Sequence, residues 1–194
     1  MRHAQALSSS APLTLGLAAG IAAMGAIFFA QPTAGQNPQP NAALNGTWQL
    51  EGSLQENQQR VQQTVEQAIS TLTPDIQRLA RARIAESTQV PTAITIQAAP
   101  SQIRVEFGGE GGRTFETPPG QAQNVFSHSG VRARMTQLFR PDGGIEQQFR
   151  ATDGMQYNFL IPQPDGQHLN LDVLMQSPRL PSDLRFRVSY RKAR

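Results

Sequence analysis

Ile145-Glu146-Gln147-Gln148-Phe149-Arg150-Ala151-Thr152-Asp153-Gly154-Met155-Gln156-Tyr157-Asn158-Phe159-Leu160-Ile161 decides the fold. Two runs of alternating character flank Asp153-Gly154, and the same dipeptide recurs at Asp142-Gly143 and Asp165-Gly166, a turn every 11 to 12 residues. Asp-Gly tolerates the positive φ angles of tight hairpins, so this spacing predicts an up-and-down β-meander. Alternation then assigns the faces. Met135 and Gln137 fall on the inward parity of the run 131–139. Gln147 and Phe149 fall on that of the next run, and Tyr157, Phe159 and Ile161 carry the apolar parity of the third. Leu171, Val173 and Met175 follow, and Val188 and Tyr190 complete the set in the last run. A slip of one residue would turn each apolar set to water, so the pairing is strongly specified.

Working outward, Gly46-Thr47-Trp48-Gln49-Leu50 predicts a first strand. Val61, Val65, Ala68, Ile69, Leu72, Ile76, Leu79 and Ala80 recur at steps of three and four, the signature of one apolar helical stripe. Thr73-Pro74-Asp75 interrupts it with an N-cap, a first-turn proline and a first-turn acid, predicting two helices at about 55–72 and 74–87. Shorter alternating runs at 92–97, 102–107, 113–117 and 123–128 are separated by Gly and Pro clusters. The expected fold is mainly β: an antiparallel up-and-down barrel of about ten strands, with a helix-turn-helix inserted after the first strand. Closure is the cheapest way to remove the edges of such a sheet.

The N-terminus reads as an export signal over 1–30, since Arg2 and His3 precede the uncharged run Leu13–Ala30. Those 18 residues would span about 27 Å as a helix, so the run serves either as a cleaved signal or as an uncleaved anchor. Residues 31–43 form a Pro-, Gln- and Asn-rich tether, and 44–194 form one domain with a helical lid over 55–87. Cysteine is absent, which excludes disulfides, thiolate metal sites and a lipid-modified cysteine. The expected location is outside the cytoplasm, periplasmic or secreted. A net charge of +3, carried mostly by arginines scattered along strands and helices, fits a solvated surface better than a nucleic-acid patch.

Gly46-Thr47-Trp48-Gln49-Leu50 resembles the Gly-x-Trp opening of the calycins, the group of lipocalins and fatty-acid-binding proteins. The order strand, helix-turn-helix, nine strands resembles the fatty-acid-binding branch. Arg187–Ala193 is similar to the final strand of those proteins, and Pro164-Asp165-Gly166 to Leu171 to their penultimate hairpin. The resemblance spans residues 44–194 and implies that Gly46 and Trp48 belong to a barrel-floor motif. It further implies that Arg187 or Arg191 packs over the indole. Val188 and Ile161 stand where family members that clamp a fatty-acid carboxylate carry inward arginines, whereas Tyr190 matches an inward tyrosine.

Catalysis finds little support. His128 and His168 lie on different strands, no His-x-x-x-His or Gly-x-Ser-x-Gly spacing exists, and Gly108–Gly112 leads into a strand rather than a helix, so no enzyme, metal or cofactor is expected. The lumen candidates are Met135, Gln137, Gln147, Phe149, Tyr157, Phe159, Val173, Met175 and Tyr190: a mostly apolar wall with a few polar groups, as in small-molecule sites. Ten strands leave room for a ligand that eight would fill. The expected function is an exported lipocalin-like protein that carries an apolar small molecule or lipid. The alternative is an envelope interaction protein with a filled barrel. Contact with a membrane is expected only through the N-terminal run.

Overall fold

The computed structural model of the chain describes residues 40–194. The expected export signal over 1–30 and tether positions 31–39 lie outside the described residues. Ten strands form one antiparallel sheet: β1 (Gly46–Leu50), β2 (Ala93–Ala99), β3 (Gln102–Gly108), β4 (Arg113–Thr117), β5 (Ala122–Phe126), β6 (Arg132–Phe139), β7 (Ile145–Ala151), β8 (Gly154–Pro162), β9 (His168–Gln176) and β10 (Leu184–Lys192). Spatial order follows chain order from β5 to β10; β10 then pairs with β1, and the sheet continues through β2 and β3 to β4. The sheet therefore curls into a nearly closed up-and-down barrel whose single seam lies between β4 and β5, the two end strands.

Helices α1 (Leu54–Ile69) and α2 (Pro74–Ile84) connect β1 to β2. Both stop short of the expected ends: a turn fills 70–73, and a 3-10 turn at Glu86–Thr88 ends the lid. Ser53 caps α1 by accepting from the Glu56 N–H at 3.2 Å, and Val61, Val65, Ala68 and Ile69 are buried. The apolar stripe does not continue buried into α2, where Ile76 and Leu79 are about half exposed. Polar ties hold that helix instead: Arg81 to Glu66 at 2.6 Å, and Arg83 to Asp153 at 2.7 Å. The folded part also reaches back into the expected tether, since Asn41 caps a 3-10 turn at Ala42–Leu44 and Leu44 is fully buried.

Gly143 and Gly166 take positive φ values of 80° and 65°, as tight Asp-Gly turns require. The turn between β7 and β8 differs. Ala151 pairs with Gly154, so Thr152 and Asp153 form the two-residue connection, and a Cβ on Gly154 would lie 2.3 Å from the Gln176 carbonyl oxygen. Residues paired across a two-residue hairpin share a face. The inward parity of Ile145, Gln147 and Phe149 therefore passes to Gln156, Asn158 and Leu160. This corrects the reading of Tyr157, Phe159 and Ile161 as inward: they lie on the outer face. Hairpin geometry overrides the apolar pattern here because both faces are provided for. Tyr157 stacks on Phe159 with centroids 6.0 Å apart, Arg140 covers the Phe159 ring at 4.9 Å, and the inward amides find partners inside the barrel.

Candidate ligand-binding lumen

One end of the barrel is sealed by a plug built around Trp48. Its indole N–H donates to the Leu44 carbonyl at 2.9 Å, and the residue has no exposed surface. The cation over it is Lys192, with Nζ 5.0 Å from the ring centroid and donating to the Ala43 carbonyl at 2.8 Å. This corrects the assignment to Arg187 or Arg191. Strand parity explains it: Lys192 shares the inner face with Tyr190 and Val188, whereas Arg187 pairs with Asp172 and Arg191 with Glu51 on the outer wall. Gly46 stands beside this plug because its φ is 129° and a Cβ there would come 3.2 Å from the Lys192 side chain. Tyr190, also fully buried, donates its hydroxyl to the Pro91 carbonyl at 3.0 Å, and burial pushes that phenol well above its ordinary range.

Above the plug a chain of amides crosses the inner wall. Gln156 donates to Asn158 at 2.9 Å, Asn158 to Gln147 at 3.2 Å, and Gln147 to Gln137 at 2.9 Å. Gln137 then spans the seam side of the barrel, donating to Thr117 Oγ1 at 3.1 Å and the Ile103 carbonyl at 3.0 Å. Gln137 and Gln147 are completely buried, yet every such side-chain nitrogen and oxygen among the described residues has a partner, which makes the chain tolerable in an apolar interior. Phe115 on β4 meets Phe149 on β7 edge to face at 5.1 Å, so aromatic packing joins the two sides where no backbone hydrogen bonds do.

Exposure on the inner face rises toward the helices. Ile103, Ile145, Leu160 and Leu169 have none, so the half away from the helices is filled; Met135, the cross-strand partner of Phe149, is also fully covered. Val173 is 5% exposed, and Phe149, Met175, Phe186, Ala133 and Gln156 are only partly buried. Met175 and Phe186 touch both the barrel core and the cluster formed by Val65, Ala68 and Ile69 of α1, linking wall to lid. A polar latch fastens the end of the lid: Glu86 pairs with Arg113 at the start of β4 and accepts from the backbone N–H of His128 at 2.7 Å, beyond the end of β5. One carboxylate thus ties the helical segment to both sides of the seam.

Of the expected lumen residues, Met135, Gln137, Gln147, Phe149, Val173, Met175 and Tyr190 face inward and Tyr157 and Phe159 do not. Gln156, Asn158 and Leu160 escaped the sequence reading, although carrying the parity of 145–151 through a two-residue turn would have found them. Lys192 stands beside Arg191 with the same charge and only strand parity separates them, while the Glu86 latch joins segments with no sequence pattern between them. At the positions of a carboxylate clamp, Val188 is inward and buried, and the β8 neighbours are Asn158 and Leu160 rather than Ile161. Among the described residues no three His, Asp or Glu side chains gather as metal ligands.

No protein-family model and no curated protein sequence matches the chain. Solved structures do. A REP1-NXSQ fatty acid transporter superposes with a TM-score of 0.50 at 13% identity, over 79% of this chain and 98% of that one. A Schistosoma mansoni fatty-acid-binding protein in complex with arachidonic acid gives 0.50 at 9% identity, over 79% and 98%. The ten-strand order, the two helices after β1, the Gly-x-Trp plug and these superpositions together establish that the chain has the fold of the fatty-acid-binding branch of the calycins.

Proposed function

We propose that the protein binds and carries an apolar small molecule in the helix-covered half of its barrel. The observation that carries this reading is the gradient inside the lumen: full burial at the Trp48 end, partly open Phe149, Met175 and Phe186 beneath a lid whose second helix has no buried residue. An apolar wall with one or two polar groups under a weakly packed cover suits reversible uptake. The shared fold with a fatty acid transporter supports the same class of cargo. The inner face argues for a neutral amphiphile rather than a free fatty acid. Its cations, Arg113 and Lys192, are engaged by Glu86 and by the Trp48 plug, so a carboxylate would meet no unpaired charge. Gln156, the end of the amide chain, is the natural partner for a carbonyl or hydroxyl.

The role inferred is binding without catalysis. Export is part of the proposal, supported by the Leu13–Ala30 run; N-terminal sequencing should return a mature chain beginning between residues 31 and 41, and an intact Met1 in the membrane fraction would replace cleavage by anchoring. The carrier reading is tested by native mass spectrometry of protein from its own host, together with titration of an environment-sensitive apolar dye. A co-purifying neutral lipid that the dye displaces is the expected result. Phe149→Asp should abolish dye binding and Gln97→Asp, on the outer face of β2, should not. A second reading, a docking protein with a filled barrel, is favoured by the aromatic stack of Tyr157 and Phe159 on the outer wall. It gains if the well-folded protein binds no apolar probe.

A further inference from the structure

The amides of Gln137, Gln147, Asn158 and Gln156 form a row with a direction. Gln137 Nε2 lies 3.0 Å from the Ile103 carbonyl oxygen, which can only accept, so this amide must turn its nitrogen to that strand and its oxygen to Gln147. Each following link inherits the choice. The Gln137 oxygen accepts from Gln147, the Gln147 oxygen from Asn158, and the Asn158 oxygen from Gln156. Turning any one of them over would set oxygen against oxygen. The row therefore ends on Gln156 Oε1, which accepts from no side chain among the described residues, while Nε2 keeps one N–H beyond the one given to Asn158. Exposure grows in the same direction: Gln137 and Gln147 have none, Asn158 has 6%, and Gln156 is partly exposed. Gln156 stands between Phe149 and Met175, its cross-strand partners and two of the partly open apolar residues of the helix-covered half. Amides aligned head to tail polarise one another, and the negative end of this row is the one delivered to the lumen.

Resting on the carrier reading, we propose that the cargo is a long-chain carboxamide, whose N–H is donated to Gln156 Oε1 and whose carbonyl oxygen accepts the second Gln156 N–H. A carboxamide presents donor and acceptor side by side in one plane, so it continues the row with the same polarity. An ester offers acceptors alone; once it covers Gln156 it leaves Oε1 buried and unpaired, a costly state for a polar atom. A carboxylate would bring a full negative charge to the negative end of the row and bury it there without a counter-charge. Selection of the head is thereby set at the seam, where Gln137 is a positioning residue that acts only through the amides between it and the lumen.

The test is competition for a bound environment-sensitive apolar dye in the full-length chain. The competitors are dodecanamide, N,N-dimethyldodecanamide, methyl dodecanoate and dodecanoate. The dimethyl amide keeps the carbonyl and loses both N–H groups, so donation is isolated without altering the protein. Dodecanamide should displace the dye at about a tenfold lower concentration than the ester or the dimethyl amide, and dodecanoate should be no better than the ester. Gln156→Met, close to Gln in volume, should bind the dye as before and bring dodecanamide and the ester within about twofold of each other. Gln137→Met should also narrow that ratio without weakening the dye, whereas Gln97→Met on the outer face of β2 should leave it intact. Equal displacement by dodecanamide and its ester, preference for dodecanoate, or a full amide preference retained in folded Gln156→Met or Gln137→Met overturns the proposal and leaves the carrier reading standing. A well-folded protein that binds no dye removes both. Should Gln137→Met lose its native circular dichroism, the four competitors on the unaltered chain and on Gln156→Met decide.

Discussion

Lys192, the only lysine in the chain, occupies an inner-face position of β10 from which its cation reaches the buried indole. Its neighbours in sequence, arginines on the opposite parity, cannot do so without crossing the strand. Trp48→Ala should therefore cost about 3–5 kcal/mol in denaturant unfolding, and Lys192→Met about 1–2 kcal/mol through the lost cation–π contact and hydrogen bond. Arg187→Gln should stay within about 0.5 kcal/mol of wild type. Tyr190 sets an alkaline limit. Its phenol is harder to ionise folded than unfolded, so its contribution is complete below the unfolded value of about 10 and is lost as pH rises beyond it. Melting temperatures should fall above about pH 10, and less steeply in Tyr190→Phe. Asp142 works in the opposite sense: the Arg140 guanidinium holds its carboxyl below the usual range. That stabilisation is present above about pH 4 and disappears as pH falls through the folded value. A melting series should show the acid loss reduced in Asp142→Asn.

At the level of strands and helices, periodicity made most of the fold legible. Eight of the ten strands carry their apolar parity inward, β5 being mixed with Gln123 and Val125 inside and Phe126 outside, and the Thr73-Pro74-Asp75 break marks the start of α2 to the residue. Strand β8 reads the other way because its inward amides join Gln147 on β7, which continues through Gln137 on β6 to Thr117 on β4, long-range contacts that no local pattern encodes. The same non-locality hid most of the binding wall: whether an inward Gln is a fault or a fixture depends on what stands across the barrel. Gln147→Leu leaves Gln137 and Asn158 short of a partner and should cost about 1–3 kcal/mol. Replacing Gln147 and Asn158 together by Leu should recover part of that loss, a non-additivity that a double-mutant cycle would measure. The helices were legible as an amphipathic pair, but the exposure of Ile76 and Leu79 was not, because packing of α2 depends on Glu66, Asp153 and Glu86 elsewhere in the chain. Glu86→Ala should leave the melting temperature nearly unchanged while loosening the lid, visible as faster amide exchange in α2 and at the first residues of β4.

Across the whole molecule, the seam between β4 and β5 and the pairing of β10 with β1 have a consequence for how the barrel folds. Every other strand pair except β1 with β2 is a hairpin neighbour, but Trp48 must find Lys192, 144 positions away, before the sheet can curl round. Closing so long a loop is the slow step that a topology of this kind imposes. No strand-to-strand backbone bonds cross the seam, and the Ala193 N–H already reaches the Thr47 carbonyl at 2.8 Å, so the two ends of the folded part meet. A circular permutant joined from residue 194 to residue 40 by a short Gly-Ser linker and opened between Pro119 and Gly120 would convert that distant pairing into a local one. Such a chain should refold faster than the parent in stopped-flow experiments while unfolding at nearly the same rate, because it alters the order in which the strands meet and leaves intact what they become.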